Sequence, residues 1–442
     1  MSVANSVCRS PSPADAWLFN LHLPVFRLCI SVVRNYLSDV SNEYAVAGHW
    51  PGDFDENGLR KFAEDLRQQL AAPQVSLGLV FMTPRFFPHA RQVLEILRVH
   101  GRIPQLMGCS SLGLIVQGEE VEEHAGISLG LYALPGASLK PFHFTQSQVE
   151  EANGPGYWRV ETGIEPGETN GWLAFLDPFH LDSEAWLKQW NEAYSPLPVL
   201  GGLASGEFNE QTTQLYLNGE VYDEGGIVLS VGGEVGLAGV TSQGCTPIGD
   251  TWTLTRVEQN VIQEIGNRPA YEVLAETFTH LTAEEQQTAR GNLFIGLVVN
   301  EYLEDFHRGD FLIRNLLGAD PRSGSLVVAA LPRQGQTVQF QRRSAAAATE
   351  DLKELLGRAK ARLAGQPVYG ACLCSCNGRG QNLFEKPNHD AQMIQERLGP
   401  MGLAGFFCNG EIGPVGEKNF LHGYTASLAL FVKAIPRGDA RP

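Results

Sequence analysis

Arg379 lies between two glycines in Asn377-Gly-Arg-Gly380, and Glu411 follows a third in Gly405-Phe-Phe-Cys-Asn-Gly-Glu411. Glycines without side chains leave backbone amides open to a ligand, and a planar guanidinium can grip a carboxylate with two parallel bonds. A carboxylate at Glu411 can meet an ammonium group, so the two residues together match the two ends of an amino acid. The alternative is an internal Arg379–Glu411 ion pair tying two loops together, and the residue types fit both. Asn377 and Asn409 flank these charges, while Ser110 and Ser205, in similar glycine runs upstream, offer neutral hydrogen-bond partners. Cys376 directly precedes Asn377, and a nearby Arg379 would raise its thiolate fraction, so it is the candidate reactive thiol. As a nucleophile it would need a recruited histidine, His389 or His422. No Cys-His-Asn or Ser-His-Asp spacing supports that, so no catalytic residue is assigned and the chain is expected not to be an enzyme.

Other chemistry is excluded by the residues present. The runs Gly108–Gly113, Gly201–Gly206 and Gly405–Gly410 share the glycine spacing of a phosphate-binding loop. Such a loop needs a lysine next, and here the residues are Leu114, Glu207 and Glu411. Gly126-Ile-Ser-Leu-Gly130 has the letters of a nucleophile elbow, but no helix can follow it, so Ser128 is a strand residue. Cys372, Cys374 and Cys376 alternate on one strand without a C-x-x-C knuckle, which argues against structural zinc. No metal or cofactor is expected. Lys plus Arg is 33 and Asp plus Glu is 49, a net charge of −16 that repels phosphate backbones and anionic bilayers. No apolar run is long enough to span a membrane, and the chain is expected to be cytoplasmic.

These residues need a scaffold, and the chain supplies it three times. Gly78-Leu-Val-Phe-Met, a helical stretch, Gly108-Cys-Ser-Ser-Leu-Gly113 and Gly126-Ile-Ser-Leu-Gly-Leu-Tyr132 form one unit. The same order returns from Gly171 to Val231 and from Gly370 to Leu430. The interval from opening glycine to loop glycine is 30 residues (78 to 108), 30 (171 to 201) and 35 (370 to 405). This predicts an α/β fold with mixed sheets built from repeated strand-helix-strand-loop-strand units, in two pseudo-similar halves. Phe311–Asp320 and Ser325–Ala329 read as a degenerate fourth unit. Residues 1–42, with Ser10-Pro-Ser-Pro13, read as an extension outside the main fold. The most economical cut falls near Gly244, giving domains over 43–245 and 246–434.

Phe311-Leu-Ile-Arg-Asn-Leu-Leu-Gly318, Gln336-Thr-Val-Gln-Phe340, Asn377–Gly380, Gly405–Gly413 and Phe420-Leu-His-Gly-Tyr-Thr425 resemble the C-terminal half of FIST proteins. Gly108-Cys-Ser-Ser111 and Gly201-Gly-Leu-Ala-Ser-Gly206 resemble the N-terminal half. The resemblance runs from about residue 43 to 433 in the family's order. It implies a sensory module that binds a small ligand of the amino-acid class and has a protein partner in signalling. The alternatives are a cysteine-nucleophile enzyme using Cys376 and a partner-binding scaffold without a small ligand. Both halves use nearly all of the chain, which leaves no room for an appended output domain.

Overall fold

The computed structural model describes residues 43–207 and 209–434, so the expected extension over 1–42 lies outside the described residues. The first repeat contains β1 (Ala45–Pro51), β2 (Leu77–Met82), β3 (Leu106–Ser110), β4 (Leu114–Val116), β5 (Glu119–Val121) and β6 (Gly126–Tyr132). The second contains β7 (Ala137–Phe144), β8 (Gly171–Leu176), β9 (Val199–Leu203), β10 (Leu215–Leu217), β11 (Glu220–Tyr222) and β12 (Gly226–Gly233). The third opens with β13 (Val235–Ser242) and then carries an insertion with strands β14 (Cys245–Glu258), β15 (Val261–Ile265), β16 (Arg268–Pro269), β17 (Leu293–Val298), β18 (Phe311–Asp320), β19 (Ser325–Val328) and β20 (Thr337–Arg343). It resumes with β21 (Val368–Cys376), β22 (Leu403–Cys408), β23 (Glu411–Val415), β24 (Lys418–His422) and β25 (Ala426–Lys433).

Helices join the strands within each repeat. Ala90–Gly101 shows why they form: Ala90, Val93, Leu94 and Leu97 are buried at the spacing of one helical face. The α/β architecture of mixed sheets from repeated units is thus present, with parallel pairs β2–β3, β8–β9 and β21–β22 inside otherwise antiparallel sheets. Phe311–Asp320 and Ser325–Val328 are not a fourth copy. They belong to the insertion's own seven-stranded sheet, ordered β14-β20-β17-β18-β19-β15-β16. No helix among the described residues is long and apolar enough to cross a membrane.

The three repeats exchange hairpins in a ring. Hairpin β10–β11 of the second repeat completes the sheet β1-β6-β2-β3 of the first. The third repeat gives β23–β24 to β9-β8-β12-β7, and the first gives β4–β5 to β13-β25-β21-β22. All three sheets turn an apolar face to one central core. There Phe81 lies 4.6 Å from Phe406 and 5.4 Å from Phe175, ring centre to ring centre.

The strand register aligns the copies residue by residue. Val80 pairs with Gly108, Ala174 with Gly201 and Leu373 with Gly405. Each glycine therefore lies within a strand, where the repeat pattern placed it in the loop. A Cβ there would come within 1.7 Å of the Val80 carbonyl oxygen, 1.8 Å of that of Ala174 or 2.1 Å of that of Leu373. Close approach of two backbones requires these glycines. At the next position, Phe81 and Phe175 face Cys109 and Gly202, whereas the third repeat has Cys374 facing Phe406. The large and small residues have traded strands, so Cys374 is a small core residue.

Candidate functional site

The ends of β21 and β22 carry the residues that the sequence singled out. Arg379 is fully buried, with Nε donating to Asp390 Oδ2 at 2.6 Å and Nη2 to Asp390 Oδ1 at 3.0 Å. Its carboxylate is the chain's own, eleven residues on, which leaves none of this two-pronged grip for a ligand. The physical reason is that a guanidinium taken out of water needs a counter-charge, and the helix His389–Leu398 supplies one. Glu411 is equally buried and does not pair with Arg379; its Oε2 accepts from the Thr425 amide at 2.9 Å and its Oε1 from the Cys408 thiol at 3.2 Å.

Ser110 and Ser205 do meet, the Ser205 amide donating to the Ser110 carbonyl at 3.1 Å. Both are buried and occupied: Ser110 Oγ accepts from Gln214 N–H, while Ser205 Oγ accepts from Leu112 N–H and donates to the Phe407 carbonyl at 2.6 Å. Asn377 Nδ2 donates to Asn409 Oδ1 at 2.8 Å, and this pair lies nearer the surface. The Cys376 thiol is pushed up to about 12, first by burial and then by Glu411, with Arg343 opposing. Arg379 was expected to activate this thiol. Its guanidinium is committed to Asp390 instead, and the thiol stays protonated at neutral pH.

The alignment of repeats exposes a different irregularity. In the first hairpin Leu114 faces Val121, and in the second Leu215 faces Tyr222. The same place in the third holds Glu411 facing His422. A carboxyl and an imidazole have replaced core residues, an exchange that costs stability and is found where a site requires it. Burial pushes the Glu411 carboxyl up to about 8 against the Thr425 and Cys408 hydrogen bonds. The folded state therefore holds a proton that the unfolded chain releases near 4.5, so stability falls as pH rises from about 4.5 to about 8. Glu120, raised to about 7, contributes to the same window. We expect Glu411→Gln to flatten the decline of melting temperature between pH 5 and 8.5. Its stability at pH 8.5 should exceed that of the parent by on the order of 3 kcal/mol. Equal slopes in the two proteins would contradict a buried neutral Glu411.

His422 points the way to open space. Its Nε2 lies 3.0 Å from the Gly413 carbonyl, which can only accept, so this nitrogen carries the hydrogen. Nδ1 is then a bare acceptor, buried and without a partner among the described residues. Burial, with Arg314 adding to it, holds the imidazole down to about 3, so it stays neutral. Arg314, on β18 of the insertion, is half-buried, and its Nη1 donates to the Ile313 carbonyl at 3.0 Å. Among the described residues no carboxylate lies within ion-pair distance of it, although Glu184 is near enough to offset part of the lowering that burial imposes.

Arg314, His422, Glu184, Gln243, Asn315 and Tyr424 line a cavity of about 170 Å³. At ~30 Å³ per water, that is room for a handful of non-hydrogen atoms. The residues come from three places: Glu184 from the second repeat's helix Ser183–Tyr194, Arg314 from the insertion, and His422 from the third hairpin. The sequence reading offered His422 only as a histidine for Cys376 to recruit, not as a ligand-binding residue. The signal that could have found it was its place opposite Glu411 in a hairpin whose other copies are apolar there.

Comparison with known proteins bears on this arrangement. An uncharacterised protein of Mycobacterium tuberculosis is 36% identical over 372 residues, covering 84% of this chain and 94% of that protein. One of Mycobacterium bovis is 35% identical over the same length and shares. Two solved cyanuric acid hydrolases share 9% identity. One, titled as evolutionary innovation by structural concatenation, covers 89% of this chain and 100% of its own at a TM-score of 0.31. The other, from A. caulinodans, covers 87% and 99% at 0.29. These neighbours are enzymes by title, which overturns the expectation of a chain outside the enzymes; at these TM-scores the likeness assigns no reaction. Residues 76–268 match the FIST N domain and residues 270–414 the FIST C domain. The chain belongs to the FIST family, whose domains are in general small-ligand sensory domains.

Proposed function

We propose that the chain senses a small carboxylate of the amino-acid class, bound where the insertion meets the third hairpin and the second repeat. The observation that carries this reading is Arg314, which among the described residues is a half-buried cation without an ion-pair partner and lines the same cavity as the His422 Nδ1 that likewise lacks one there. On this reading Arg314 takes the carboxylate, while His422 Nδ1 and the Glu184 carboxylate receive the ammonium hydrogens. The amino-acid class was also the reading of Arg379 and Glu411; the cavity keeps the class and changes the residues. Such a ligand would bridge three parts of the chain, so binding favours the arrangement that holds them together, and a protein partner reads the shift.

Calorimetric titration with the twenty amino acids is the test. At least one should bind the parent protein, and Arg314→Ala should weaken it by about 10- to 100-fold, the worth of one charge-assisted contact. A parent protein that binds none, or an Arg314→Ala variant that binds equally well, refutes the proposal.

A further inference from the structure

A second and larger space lies beside the cavity. A cleft of about 580 Å³ adjoins it, and Glu184, Arg314, Ala329 and Leu421 line both. The two compartments differ in chemistry. The inner one gathers Gln243, Asn315, His422 and Tyr424 around Arg314. The outer one is walled by Leu187, Leu297, Leu312, Ala330, Leu331 and Phe420. Leu331 is 79% exposed on this wall, a large apolar side chain left facing water. Apolar surface of this kind, continuous with a polar anchor, fits a ligand with one charged end and one apolar end. The other charged residues of the outer lining, Lys188, Glu192, Arg333 and Lys418, are exposed, so they form a rim whose stems can lie along an apolar chain.

We infer that the site selects α-amino acids with an extended apolar side chain, which runs from the inner cavity past Ala329 and Leu421 into the outer cleft. This rests on the reading of Arg314 as the carboxylate anchor and adds what distinguishes one amino acid from another. The inner cavity alone would accept small members of the class. The outer wall gives affinity to each further methylene, because each leaves water for contact with leucine and phenylalanine side chains.

The experiment is a titration series with alanine, 2-aminobutyric acid, norvaline, norleucine and 2-aminooctanoic acid. Affinity should rise about three- to fourfold per added methylene, the effect of burying one such group. The readout in variants is the ratio of 2-aminooctanoic acid to alanine affinity, which any general loss of fold leaves uninterpreted unless alanine still binds. Ala330→Trp fills the outer wall and should bring that ratio to near one. Leu331→Asp changes only an exposed position and should lower it at least fivefold. A flat series in the parent protein, or a gradient that survives both variants, overturns the inference. If the series is flat while Arg314→Ala still weakens alanine binding by about 10- to 100-fold, the carboxylate site stands and only the apolar selectivity falls. If no member binds but another of the twenty amino acids does, only the apolar selectivity falls; if none of either set binds, both fall.

Discussion

Replacing Asp390 with alanine is expected to destabilise the protein by about 3–5 kcal/mol, because it leaves a fully buried guanidinium without its counter-charge. Both short hydrogen bonds to Arg379 would be lost, and so would the contact from His389 Nδ1 at 2.9 Å. Denaturant unfolding of Asp390→Ala, Arg379→Met and the Arg379→Met/Asp390→Leu pair measures this directly. The double variant should be more stable than Asp390→Ala, since two apolar side chains leave no charge stranded. Additive losses would mean that the two residues act independently. The pair also sets an acid limit. Burial alone would raise the Asp390 carboxyl, but Arg379 and His389 overcome it and hold the group well below the usual carboxylate range. Its contribution is therefore complete above the unfolded value of 3.8 and is lost as pH falls through the lower folded value. This loss sets in as pH falls below 3.8, whereas that of Glu411 sets in as pH rises above about 4.5.

The second large effect is expected at the strand glycines. In Gly108→Ala the new methyl group would lie 1.7 Å from the Val80 carbonyl oxygen, a backbone atom that cannot turn aside. The parallel pair β2–β3 would have to separate, and the cost should exceed about 3 kcal/mol. Gly357→Ala is the matched control. It lies in the helix Ala345–Leu363 with nothing within 4 Å of a new Cβ, and it should raise stability by about 0.5–1 kcal/mol. Thermal melts of the two variants should move in opposite directions. A Gly108→Ala protein that melts with the parent would contradict the close approach of the strands.

The repeats were legible in the sequence because each strand that opens a unit is a continuous apolar run followed by a helix of strict period. Leu-Gly-Leu-Val-Phe-Met and the stripe Ala90, Val93, Leu94, Leu97 carry their own evidence. The exchanged hairpins were not legible. Leu114-Ile-Val116 and Leu215-Tyr-Leu217 are three residues each, too short to have a period, and nothing local in them names the strand they pair with. The site failed to appear for a related reason. Arg379 was matched with the carboxylate in the corresponding glycine run, Glu411, whereas its partner Asp390 lies inside the following helix. Arg314 belongs to an inserted sheet, and its approach to His422 is a relation between elements 108 residues apart (314 to 422) that no spacing encodes.

The ring of exchanged hairpins also sets a clock on synthesis. Hairpin β4–β5 ends at Val121, but the strand edge that receives it, β22, begins only at Leu403. At ~5–20 residues per second, the ribosome needs roughly 15–60 s to make the intervening 282 residues (121 to 403). Throughout that time the nascent chain carries the apolar strand β4 with its outer backbone edge unpaired and no native partner yet in existence. Such an edge can pair with any neighbouring chain. A protein wound this way must be shielded while it emerges, and its yield in a cell depends on how well holding chaperones occupy that interval.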